Sequence, residues 1–151
     1  MGCVDGVLAG AQFGDSFAIV VNDVSLNARR AAEQMFGRRR GWQKALLAIR
    51  DAAVRPFGLQ TSDSKPPAGS ITIGFFPVVS ETAKRIVAGF DDKHLDFRVI
   101  VDVSADGAGT CVVATTLVLT HNLLGRIYLG TILPFHRLIV RSMLNGLSVA
   151  Q

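Results

Sequence analysis

The chain reads as an α+β domain in which antiparallel strands form one layer and helices gather on one side of it. Three observations predict this. Lys93 to Val103 alternates apolar and polar residues at period two, with Leu95, Phe97, Val99, Val101 and Val103 at one parity. Ala105-Asp106-Gly107-Ala108-Gly109 is a hairpin turn that leads into a second β-branched run, Thr110 to Thr120. Finally, Leu123 to Leu147 is long and mostly apolar, with Asn122 placed to cap it as a helix.

The elements follow in order. Phe13 to Val21 reads as a first strand ending at Asn22-Asp23. Ser25 is a plausible helix cap, and Ala28, Ala31, Ala32 and Met35 then fall at i, i+3, i+4 and i+7, with Gly37 as the stop. A second helix is expected around Trp42, Leu46, Ile49 and Ala53, ended by Pro56 and Gly58. Gln60 to Gly69 is polar and contains prolines, which makes it a loop. Ile71, Ile73 and Phe75 alternate with Thr72, Gly74 and Phe76 as a strand. Thr82 to Phe90 is the next run, closed by Asp91-Asp92. Pro134 lies inside the last helix and predicts a kink or a fresh start there. On that helix Arg126, Gly130, Arg137 and Arg141 share one narrow sector at ~100° per residue, a wet stripe on a greasy helix.

The length of 151 residues suits one domain, 1–151, able to bury a core without staples, with residues 1–10 expected to be poorly ordered. A hydrophobic content of 49% excludes intrinsic disorder. The mean hydropathy of +0.36 raises the question of a membrane span. Arg126, His136, Arg137, Arg141 and Asn145 interrupt the only segment long enough, and charges at mid-span cost several kcal/mol, so no span is expected. The net charge of +4 is local: residues 29–55 carry eight basic residues against Glu33 and Asp51, and the remainder is slightly acidic. A solvated helical face explains such a patch, and no nucleic-acid partner is expected. Cys3 and Cys111 form no disulfide framework, and Asp5 and Asp15 break any secretory leader, so a cytoplasmic setting is expected.

Two passages carry a family resemblance. One is Asp91-Asp92-Lys93-His94-Leu95-Asp96-Phe97-Arg98-Val99; the other is His121-Asn122-Leu123-Leu124-Gly125-Arg126-Ile127-Tyr128 with Pro134-Phe135-His136-Arg137 after it. Both resemble the bacterial family named domain of unknown function 2867, as do Trp42, Leu46-Leu47, Arg50 and Phe57-Gly58-Leu59. The likeness runs from about Ala11 to Leu147. The family is similar to the START-like, helix-grip superfamily. That resemblance implies a curved antiparallel sheet wrapped around a long C-terminal helix, with two helices after the first strand. It also implies a cavity between sheet and helix for lipids, sterols or polyketides, and in some members cyclase or dehydratase activity. It transfers no catalytic residue and no cofactor.

On this reading the cavity lining is Phe75, Phe97, Val99, Val101, Tyr128, His136 and Leu138, apolar with few polar anchors. The expected function is binding of a small apolar or amphipathic molecule. The alternatives are a polyketide cyclase or dehydratase using His94 or His136 as acid or base, and a homo-oligomeric interaction protein without a ligand. His94, Asp96 and Arg98 stand about 7 Å apart in succession on one strand face. Because Leu95, Phe97 and Val99 claim the core side, that polar row should face away from it, toward solvent or a subunit. No His, Cys or acid stands at metal-ligand spacing to His121 or His136, so no metal is expected.

Overall fold

The computed structural model describes residues 7–8, 10–37, 72–73, 76–91 and 95–149. The second helix expected around Trp42 and the loop at 60–69 lie outside the described residues.

Strand β1 (Phe13–Val21) is followed by helix α1 (Ala28–Gly37), then by β2 (Thr72–Ile73), β3 (Phe76–Glu81), β4 (Arg85–Asp91), β5 (Leu95–Asp106) and β6 (Gly109–Thr120). Helix α2 (Leu123–Val149) ends the chain. The strands form one antiparallel sheet in the order β1-β6-β5-β4-β3-β2. From β2 to β6 each strand pairs with the next in the chain, and β1 closes the far edge on β6. The α+β class expected from the alternation is therefore the observed one.

Local chemistry explains the element boundaries. The β5–β6 turn is Gly107-Ala108, with Gly107 at φ 57, a left-handed conformation that glycine adopts without penalty. Asn122 caps α2: its Oδ1 accepts the Gly125 amide at 2.9 Å. Helix α1 is capped by Asn27, whose Oδ1 accepts the Arg30 amide at 2.9 Å. Ser25 is not the cap, because its amide and hydroxyl both donate to Asp23 Oδ1 in a local turn. The strand expected from Thr82 begins instead at Arg85. Thr82 is consumed in the turn, its amide donating to the Arg85 carbonyl at 2.7 Å and its Oγ1 accepting the Arg85 amide at 3.0 Å. Helix α2 runs unbroken through Pro134, which stands exposed.

One face of the sheet is inner. Period-two alternation puts Phe17, Ile19 and Val21 of β1, Val112 and Ala114 of β6, Val99, Val101 and Val103 of β5, and Ile86 and Ala88 of β4 on it. Ala28, Ala31, Ala32 and Met35 of α1 and Val140, Met143, Leu144 and Leu147 of α2 complete this core. Helix α2 packs on β1, β6 and α1, and α1 packs on β4 and β5. The outer face is partly covered by the chain's own beginning. Leu8 is 9% exposed, packed with Val87, Ile100 and Leu117, and Val7, Ala11 and Leu119 flank it. Part of the N-terminal stretch expected to be loose is thus a buried lid on the sheet. Among the described residues no helix is long and apolar enough to cross a membrane.

Candidate functional site

The inner row of β1 reads Phe13, Asp15, Phe17, Ile19, Val21. Four members are apolar and one is a carboxylate. Register places Asp15 opposite Thr116 of β6, which in turn faces Val99 of β5. At this level the inner hydrophobic face divides. Phe13, Leu95, Val118 and Leu129 form one cluster; Phe17, Val99, Ala114 and Val140 belong to the main core, and Phe97 packs against both. The seam between the clusters is polar.

Helix α2 brings the second polar group to that seam. Leu129, His136, Val140 and Leu147 recur at helical spacing on the face turned to the sheet. His136 Nε2 lies 3.4 Å from Asp15 Oδ1, and the side chains are only 16% and 15% exposed. The Phe13 ring stands edge-on to the imidazole, with centroids 6.5 Å apart and planes at 81°. Both Asp15 oxygens and His136 Nε2 are shielded from solvent, and among the described residues none has a hydrogen-bond partner. A separation of 3.4 Å brings the two groups into contact without a well-made hydrogen bond. An unsatisfied buried polar atom costs about 1–3 kcal/mol, so each calls for an explanation.

Chemically, a carboxylate with no donor bonded to it is an acceptor awaiting an N–H or O–H. An imidazole held beside it can donate, accept or carry a proton. Arg141 stands 5.9 Å over the Phe17 ring, next to Asp15 in the inner row.

The residues anticipated for this interface are placed unevenly. Phe97 lies at the junction of the two clusters, and Val99 and Val101 are buried on the same inner face. His136 is at the polar seam. Leu138 is a correction: two residues beyond His136, it is rotated to the other side of the helix and is 52% exposed. Phe75 and the side chain of Tyr128 lie outside the described residues. Asp15 was the missing member.

The polar row on β5 faces outward, as its parity requires. Asp96 Oδ1 lies 2.9 Å from His121 Nε2. Arg98 Nη1 lies 2.8 Å from Asp91 Oδ1 on the neighbouring strand and donates to the Phe97 carbonyl at 2.9 Å. Further along, Arg85 Nε donates to Asp102 Oδ1 at 2.6 Å. These pairs cross-brace the sheet, and His94 lies outside the described residues. Of the basic patch, Arg29 is clamped to Glu81 of β3. Its guanidinium holds the Glu81 carboxyl below the ordinary carboxylate range, and Glu81 in turn raises Arg29.

Sequence comparison assigns the chain to a family: it belongs to the one described as protein of unknown function (DUF2867), whose model matches residues 7–143. Among solved structures it is similar to CalU16 from Micromonospora echinospora. That match has 11% identity over 91% of this chain and 98% of the other, and a TM-score of 0.28, at which the likeness carries no argument. No curated protein matches the chain.

Proposed function

We propose that this member of the DUF2867 family binds a small amphipathic molecule between the inner sheet face and α2, with Asp15 and His136 as its polar anchor. The observation that carries the reading is the buried pair itself. Two polar side chains are sunk into an apolar interface, 3.4 Å apart, with their facing atoms unsatisfied. A purely structural position would favour an apolar residue at each, since well-packed hydrophobes are often as stable as a buried ion pair or more so. The break of the inner core into two clusters at the same level supports it, as does the aromatic surround of Phe13, Phe17 and Phe97. Sheet and C-terminal helix are the two layers a helix-grip domain uses to hold a ligand, and we read this chain as such a domain.

The unsatisfied acceptors narrow the ligand. Asp15 repels a carboxylate or phosphate and welcomes a hydroxyl or amine. The molecule is therefore an apolar body with a neutral or cationic hydrogen-bond donor. Calorimetric titration with dodecanol and with dodecanoate tests this. The alcohol binds the wild-type protein, the fatty acid binds at least tenfold more weakly, and Asp15→Asn narrows that gap. Equal affinity for both, in wild type and variant alike, contradicts the assignment.

A second reading draws on the same geometry. Asp15 next to His136 is the arrangement that orients an imidazole for proton transfer, so the pair is also competent as a general acid or base on a bound hydroxyl or carbonyl compound. Turnover lost in His136→Gln while the ligand still binds separates this enzymatic reading from a binding function.

A further inference from the structure

Helix α2 has a second face that the ligand site does not use. Its described residues that stand exposed all fall within an arc of about 120° at ~100° per residue. Within that arc Arg126 and Arg137 lie along one edge, Ile127 and Leu138 along the other, and Leu123 and Arg141 between them. Leu123 is 70% exposed, Ile127 57% and Leu138 52%. Leu123 and Ile127 adjoin at i and i+4, and Leu138 follows three turns on along the same side. Over its 27 residues α2 carries no acidic residue. Among the described residues none of the three guanidiniums enters a salt bridge.

We propose that this face of α2 docks the protein on anionic phospholipid bilayers. The charge identifies the surface, since three arginines with no salt bridge among the described residues, on a helix without an acid, call for phosphates, which the guanidinium fork matches in pairs. The aliphatic edge identifies it as lipid. Side chains of Leu and Ile enter the boundary between headgroups and acyl chains while the adjacent arginines stay at the phosphate level. The row from Leu123 to Arg141 is about 27 Å long at 1.5 Å per residue. The helix lies on the membrane and does not cross it. This docking face lies about a third of a turn round the helix from the inner face, and Arg141 at its centre also reaches the Phe17 ring.

Vesicle co-sedimentation tests the proposal, with phosphatidylcholine alone and with phosphatidylcholine mixed with phosphatidylglycerol. The full chain binds the mixed vesicles, leaves the neutral ones in solution, and is released as salt rises. Each arginine contributes about fivefold near an anionic surface, so Arg126→Gln/Arg137→Gln/Arg141→Gln weakens binding about 100-fold. Ile127→Asn/Leu138→Asn weakens it about tenfold at unchanged charge, which a purely electrostatic contact would not show. Circular dichroism melts confirm that these surface variants are folded, and the lipid and salt dependence of the wild type needs no variant. Absence of binding to mixed vesicles at low salt overturns the proposal. So does binding indifferent to the triple substitution, and so does equal retention on polyglutamate, which would identify an acidic protein as the partner.

Discussion

Removing the two members of the Asp15–His136 pair separately and together has a worked energetic signature. His136→Leu leaves the Asp15 carboxylate at an apolar seam with its imidazole neighbour gone. Breaking one side of a buried pair costs about 3–5 kcal/mol, and the 15% exposure of Asp15 places this case at the lower end, about 3. Asp15→Val leaves only the imidazole. Among the described residues its Nε2 has no hydrogen-bond partner in the wild type either, so only the contact with Asp15 is lost, about 1–2 kcal/mol. A β-branched residue in the inner row of Phe13, Phe17 and Ile19 offsets part of that, so the net loss is about 1 kcal/mol. The double variant Asp15→Val/His136→Leu joins the two inner clusters into one core. It is neutral or more stable than wild type by about 1–2 kcal/mol. Urea unfolding of the ligand-free proteins, with a common m-value, measures all three. A double variant less stable than wild type by more than about 2 kcal/mol would mean that the pair holds the fold together. An Asp15→Val cost equal to that of His136→Leu would refute the charge argument.

Three further outcomes follow from the fold. Gly89 of β4 has φ 156, and a Cβ there would lie 2.0 Å from the Phe97 carbonyl oxygen, so Gly89→Ala destabilises by about 2 kcal/mol or more in thermal melts. Leu8→Ala uncovers Ile100 and Leu117 and costs about 2 kcal/mol, with faster amide exchange in β5 and β6; a chain whose start is unordered would lose nothing. Arg29 lowers the Glu81 carboxyl, so the α1–β3 clamp is fully present above the ordinary carboxylate pKa and is lost as pH falls through the depressed folded value. Glu81→Gln therefore flattens the acid limb of the stability profile and leaves neutral pH less affected by salt.

Much of the sheet was legible because a strand's two faces print its parity in the sequence. Phe13–Val21 and the alternation of β5 appear where period two places them, and the Asp-Gly turn joins β5 to β6. Hydroxyl-rich boundaries were less legible. Ser25 and Asn27 are both good caps, and a local turn in which Ser25 serves Asp23 leaves the cap to Asn27. Thr82 has high strand propensity but closes a turn. Half of the candidate site was readable: His136 marks itself as a polar residue on an apolar helix. Asp15 was overlooked although its parity matches Phe13, Phe17 and Ile19; an acid at the apolar parity of an alternating strand is the signal that finds it. Leu138 misled because helical hydrophobicity alone does not say which apolar residues face the sheet. The burial of Leu8 depends on the outer face of a sheet assembled from distant strands, which no local pattern announces.

The central claim is that Asp15 and His136 hold a ligand, and native mass spectrometry of the gently purified full chain tests it most directly. The wild-type protein carries a small molecule of defined mass that ordinary washing retains and denaturation releases, and Asp15→Val/His136→Leu, folded and at least as stable, does not carry it. Wild-type protein that is empty by this measure and fails to bind dodecanol, or a double variant that carries the same molecule undiminished, contradicts the account.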